Sequence, residues 1–182
     1  MTKVAFYFYG VMFLVAALGA WFFELDLFGF TRVNWGRDLG LGLAVGLGTV
    51  GLSRVLDHVF SWARELTQGF REILGPGNAQ KALILAGLSS LGEEAFFRGF
   101  LQNGLNEWLG ALPALLVAST IFGLIHIGPD AKRFLPWTIM ALVMGFVLGG
   151  MWLWTENLVA VILAHFLVNF INLTLIFRQD AP

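Results

Sequence analysis

Runs of about twenty apolar residues, separated by short polar loops, divide this chain from end to end, and about twenty is the number a helix needs to cross a bilayer at ~1.5 Å rise per residue. They fall at about Val4 to Phe23, Leu39 to Val59, Ala79 to Leu105, Ala111 to Ile127, Leu135 to Thr155 and Leu158 to Phe177. In lipid every backbone polar group must be satisfied internally, so such runs are read as helices. The fold class that follows is all-α: a polytopic transmembrane bundle of about six spans in a single integral membrane domain, 1–182, with a polar-residue-bearing core at about 79–177.

Composition agrees with that reading. The 182 residues are 58% hydrophobic and only 13% charged, with a mean hydropathy of +0.77, outside the range of soluble globular domains. A net charge of −1 without a basic tract or acidic tail excludes a nucleic-acid partner. The absence of cysteine removes disulfides, thiolate metal sites and a cysteine nucleophile. Lys3 ahead of an apolar run imitates a secretory leader ending near Ala20, but the run is long for one and is expected to stay as the first span.

Between the second and third runs the pattern changes. Val59, Trp62, Ala63, Leu66, Phe70 and Ile73 share one helical face, and Arg64, Glu65, Gln68, Arg71 and Glu72 the other. This predicts an amphipathic helix lying in the membrane interface, ended by Gly75-Pro76-Gly77. The glycine-rich second run has no strand before it and no Lys-Ser/Thr after it, so it is no phosphate loop. Gly42 and Gly46, and again Gly145 and Gly149, have the spacing of close helix packing. The remaining Phe and Trp residues are expected to face lipid or the interface, with Trp108, Trp152 and Trp154 near span ends. His58 reads as a surface residue.

An even number of spans puts both termini on one side. That side collects Lys3, Arg54, Arg64, Arg71, Lys81, Lys132, Arg133 and Arg178, against Arg32 and Arg37 opposite, so both termini are expected in the cytoplasm. The expected location is the cytoplasmic membrane of a prokaryote.

The eleventh basic residue, Arg98, lies inside the third span with Glu93 and Glu94. Ionisable groups at such depth cost roughly 2.5–3.5 kcal/mol each on insertion scales, and mark a functional site by default. Glu94 and Arg98 are four apart with the acid first, the favourable order for an ion pair along a helix, and Gln102 continues that side. Glu93 points about 100° away and stays available. The fourth span adds Phe122 and His126, and the sixth adds His165 and Asn169, with Asn172 beyond. A lone intramembrane His or Asn is more often interhelical glue. A carboxylate, two imidazoles and a carboxamide together favour one polar pocket, in which Glu and His can activate water and His and an amide can steady an oxyanion. Ser89, Ser90, Ser119 and Thr120 lack an identifiable activating base.

The pattern EExxxR at Glu93, Glu94 and Arg98, FxxxH at Phe122 and His126, and HxxxN at His165 and Asn169 resembles the type II CAAX prenyl endopeptidases and the bacteriocin-processing proteins of the same superfamily, the CPBP or Abi family. The resemblance implies a metal-free, glutamate-dependent intramembrane endopeptidase with no cofactor. In it Glu93 activates water with His126, His165 and Asn169 bind the oxyanion, and the substrate is a membrane-anchored or lipidated peptide. Glu94, Arg98 and Phe122 are supporting residues. The family's prenyl-protein proteases look longer than this chain, and shorter relatives are associated with bacteriocin maturation or immunity and with C-terminal sorting signals. Three other readings use the same residues: zinc held by Glu93, His126 and His165, a noncatalytic membrane binder of immunity or scaffold type, and a proton-coupled transporter.

Overall fold

A computed structural model describes residues 2–178, so the ends of the expected 1–182 domain lie outside the described residues. The first two helices, α1 (Thr2–Phe22) and α2 (Trp35–Val59), are joined by a loop with a short 3-10 turn. The amphipathic segment forms α3 (Ser61–Leu74). Next, α4 (Ala79–Glu94) runs without a break through a π-helical stretch, Ala95–Gln102, into α5 (Asn103–Leu109). The chain ends in α6 (Ala111–Leu124), α7 (Ala131–Thr155) and α8 (Val159–Arg178).

Four of these, α1, α2, α7 and α8, are long and apolar enough to cross a membrane. The third expected span is the composite run from α4 to α5. The fourth is α6, whose 14 residues reach ~21 Å at 1.5 Å per residue, less than a hydrocarbon core of ~30 Å. Six spans is therefore an approximate description. Helix starts follow local chemistry: the side chains of Asn34, Asn78 and Asp130 accept hydrogen bonds from the free amides of the first turns of α2, α4 and α7.

The outside of the bundle is apolar. Phe6, Tyr7, Leu14, Leu18 and Trp21 of α1 are exposed, a surface that water would not tolerate and lipid does. Inside, small residues let backbones meet. A Cβ on Gly42 or Gly46 would stand 2.9 Å from Ala160 O or 3.1 Å from Ala164 O, so this pair seats α2 on α8. Gly145 and Gly149 do the same for α7 against α6, where added Cβ atoms would press on Ser119 and Leu115.

One expectation, for Trp152, needs correction. The amphipathic α3 lies against α2, α7 and α8 with Ala63, Leu66 and Gly69 buried, while Trp62 and Ile73 of its apolar face stay exposed. Phe70 packs edge-on against Phe134 and Trp137 of α7, and Arg133 grips Glu72 with two hydrogen bonds of 2.6 and 3.1 Å. Trp152 is 6% exposed and packs with Leu148, Leu158 and Val161 rather than facing lipid, whereas Trp108 and Trp154 are exposed.

Candidate active site

Beneath α3 the helices enclose a cavity of about 570 Å³. Most of its wall is apolar; its polar residues include Tyr9, Ser89, His126, His165 and Asn169. Glu93 is not among the lining residues; it is 4% exposed and faces His126 and His165 behind the wall.

Glu94 and Arg98 form the ion pair that their spacing predicts, with Arg98 Nη1 2.9 Å from Glu94 Oε2, both fully buried. The guanidinium also donates to Gly145 O at 3.0 Å, and its carbon lies 4.4 Å from the Phe122 ring centre. One turn on, Gln102 Nε2 donates to Gly149 O at 3.0 Å. The two glycines of α7 thus serve twice: lacking side chains, they leave their carbonyls open to Arg98 and Gln102. A buried charge in lipid survives only with such full pairing. The π-helical stretch carrying Arg98 and Gln102 is a feature that recurs at functional sites.

Glu94 has a second partner that spacing does not reveal. His165 Nδ1 lies 2.5 Å from Glu94 Oε1. A carboxylate can only accept, so Nδ1 carries the hydrogen, and Nε2 turns towards Glu93 Oε2 at 4.0 Å. His126 is held in the same sense. Its Nδ1 is 2.6 Å from the carbonyl of Phe122, one turn earlier, and since a carbonyl only accepts, this nitrogen too is the donor. The lone pair of His126 Nε2 is thereby left facing Glu93 Oε2 at 3.7 Å. Phe122 stacks obliquely on the His126 ring and meets His165 edge-on, wedging the imidazoles apart.

Glu93 Oε2 is buried and has no hydrogen-bonding partner within the protein, while two imidazole nitrogens from two other helices face it. Asn169 lines the same cavity but is tied one turn further along, its amide donating to Ser89 Oγ at 2.9 Å. Ser89 in turn donates to Ala86 O at 3.3 Å. Asn172 lines the cavity too, with Ser53 and Arg54 each donating to it at 3.0 Å. His58 is exposed.

Tyr9 is the residue sequence reasoning missed. It lines the cavity beside His126 and His165, and a phenol in the middle of an apolar span was the available signal, since such a group needs a partner. Among the described residues no group of three or more His, Asp or Glu side chains is arranged to hold a metal ion.

In an all-helical membrane bundle, a buried carboxylate thus faces two imidazoles, and those imidazoles and a carboxamide line one cavity. Residues 76–171, more than half of the chain, match the family described as type II CAAX prenyl endopeptidase Rce1-like, and the protein belongs to that family. The matched region contains all of Glu93, Glu94, Arg98, Phe122, His126, His165 and Asn169. The family is one of CAAX-type proteases, whose name gives prenylated substrates, and the apolar helices of this chain make it an integral membrane protein. The chain is also 26% identical over 162 residues to the uncharacterized protein YpbD of Bacillus subtilis (strain 168), covering 87% of this chain and 80% of that protein. No solved structure matches it.

Proposed function

We propose that the protein is an intramembrane endopeptidase that hydrolyses a peptide bond of a membrane-anchored or lipidated substrate, using water activated by Glu93 and His126. The observation that carries this reading is the meeting of two acceptors, Glu93 Oε2 and His126 Nε2, at 3.7 Å. Acceptors that share one water as common donor stand on the order of 4 Å apart, given O–H···X bonds of ~2.8 Å. Water placed there gives a proton to Glu93 while its oxygen attacks the peptide carbonyl carbon. The carbonyl electrons move onto oxygen, and the oxyanion is met by Asn169 and by His165. His165 donates from Nε2 in its doubly protonated form, with Glu94 as counter-ion. Collapse breaks the C–N bond, and the proton held by Glu93 passes to the leaving amine, so the carboxylate is regenerated. Such general acid–base assistance contributes roughly 10²–10⁴-fold.

Glu94, Arg98 and Phe122 act in this reading by holding His165 and His126, and the whole chain, 1–182, works as one membrane domain. The cavity's apolar lining suits a lipid-modified or membrane-spanning peptide segment. The site is metal-independent, and the protein sits in a prokaryotic cytoplasmic membrane with both termini inside.

The test is purified protein in detergent or nanodiscs, given a fluorogenic peptide carrying a C-terminal-region lipid. Wild type is expected to cleave it, to keep cleaving it in EDTA or 1,10-phenanthroline, and to lose cleavage in Glu93→Gln while still binding the peptide. Equal binding without cleavage by both proteins would make it a noncatalytic binder. Activity lost to chelators and restored by Zn²⁺ would sink the metal-free mechanism.

A further inference from the structure

The end of α2 and the polar face of α3 enclose a second hollow, of about 610 Å³. Helical spacing builds it. Arg64, Thr67, Gln68 and Arg71 follow one another at intervals of about one turn and so share a face of α3, away from the side that buries Ala63 and Leu66. Arg54, Asp57 and His58 repeat the pattern at the end of α2. This end of α2 lies outside the region that matches the family.

Positive charge is in excess on this wall: three arginines line it against two carboxylates, Asp57 and Glu72. Glu72 is already held by two hydrogen bonds from Arg133 of α7. Asp57 lies 2.9 Å from Arg54 Nη2 and accepts from Thr67 Oγ1 at 3.1 Å. Arg54 Nη2 also donates to Asn172 Oδ1 at 3.0 Å and to Ser53 Oγ at 3.2 Å, which fixes the guanidinium. Its Nε is buried and has no hydrogen-bonding partner among the described residues, so a side chain that lines the hollow keeps a donor to satisfy. Arg64 Nη1 donates to Asp57 O at 3.0 Å and His58 O at 3.1 Å, which pins a second guanidinium between the two helices. The hollow adjoins the end of a helix long and apolar enough to cross the membrane, and the neighbouring Val59, Phe60 and Trp62 are exposed apolar residues. Arginines beside exposed aromatic side chains at a span end belong at the depth of lipid headgroups.

We infer that this hollow is a binding site for a phosphate group, supplied by the headgroup of an anionic lipid. Phosphate oxygens accept from several guanidinium forks at once, and here the forks come from two helices. The exposed corner at Phe60 and Trp62 receives the chains of the same lipid. Arg54, Asp57 and Thr67 line this hollow and the larger cavity alike, so the headgroup stands against the wall of the candidate active site. The site does not depend on the proposed hydrolysis.

The test titrates delipidated protein in dodecyl maltoside with short-chain phosphatidylglycerol or with phosphatidylcholine of the same chain length, and counts bound lipid by native mass spectrometry. Phosphatidylglycerol is expected to bind saturably and more tightly than phosphatidylcholine. Arg64→Gln and Arg71→Gln are each expected to weaken it about fivefold, the effect of one arginine beside an anionic headgroup. Lys132→Gln removes a cation outside the hollow and is expected to bind as wild type does. Should an arginine variant unfold, wild type alone decides: phosphatidylglycerol is expected to slow hydrogen exchange across Ser61–Leu74, and phosphatidylcholine to leave it unchanged. Inorganic phosphate is then added as competitor. Displacement of the lipid supports a phosphate site that free phosphate also fills, and resistance supports the lipid as its source. Equal affinity for the two lipids, equal weakening by Lys132→Gln, wild-type affinity in both arginine variants, or exchange across Ser61–Leu74 indifferent to phosphatidylglycerol overturns the inference.

Discussion

Glu94 and His165, 71 positions apart in the chain, are joined side chain to side chain at 2.5 Å. The same carboxylate neutralises Arg98 at 2.9 Å, so one buried group ties α8 to the π-helical stretch and sets the tautomer of an imidazole. Adjacent glutamates thus have different surroundings. Glu94 is paired with both Arg98 and His165, whereas Glu93 has no hydrogen-bonding partner for its buried Oε2.

That division predicts opposite phenotypes from two neighbouring substitutions. Glu94→Gln leaves Arg98 as a buried cation with a weakened partner, and breaking such a pair costs about 3–5 kcal/mol. Thermal unfolding in detergent is expected to show a large drop for Glu94→Gln and little change for Glu93→Gln, which instead loses cleavage. Equal melting temperatures for the two would mean that Glu94 is not the structural carboxylate.

Gly149 offers a second separation of packing from chemistry. A Cβ at this position would lie 2.5 Å from Leu115 Cδ1 and 2.8 Å from Gln102 Oε1, on a helix face already in contact. Gly149→Ala is expected to destabilise by about 1–3 kcal/mol, the usual cost of overpacking. Gly150, one residue on, has open space at its Cβ, and Gly150→Ala should be neutral or slightly stabilising, since Ala is the better helix former. Unfolding curves of the two variants side by side decide it.

What could be read from the sequence was local. Glu94 meets Arg98 because residues four apart on a helix are neighbours. The glycine spacings at 42/46 and 145/149 announced close packing, but which helices they receive, α8 and α6, depends on tertiary arrangement that periodicity does not encode. The bond from His165 to Glu94 and the burial of Trp152 are of that second kind. The π-helical geometry of Ala95–Gln102 left no mark in a pattern read at 3.6 residues per turn.

The distribution of basic residues leads to a topology test that the lack of cysteine makes clean. Single substitutions Lys132→Cys, in the first turn of α7, and Arg32→Cys, in the loop before α2, are placed on opposite sides by the proposed orientation. In intact cells, a membrane-impermeant maleimide is expected to label Arg32→Cys and to spare Lys132→Cys until the membrane is opened. The reverse pattern would invert the bundle and put the termini outside.

The attachment of α3 should depend on pH. Glu72 is fastened to Arg133 by two hydrogen bonds, and that bonding, with the guanidinium charge, holds its carboxyl below the ordinary glutamate range. A carboxyl whose folded value is depressed stabilises the folded form above its unfolded pKa and loses that contribution as pH falls through the folded value. The pair is exposed, so salt should weaken it too. Since α3 roofs the cavity, hydrogen exchange of its amides is the direct measure. Protection of Ser61–Leu74 is expected to hold from neutral pH to the ordinary glutamate value of about 4.3 and to decline below it, whereas Glu72→Gln should show the lowered protection throughout. Protection that is flat with pH in wild type and unchanged in Glu72→Gln would show that the apolar contacts of Leu66 and Phe70 hold α3 unaided.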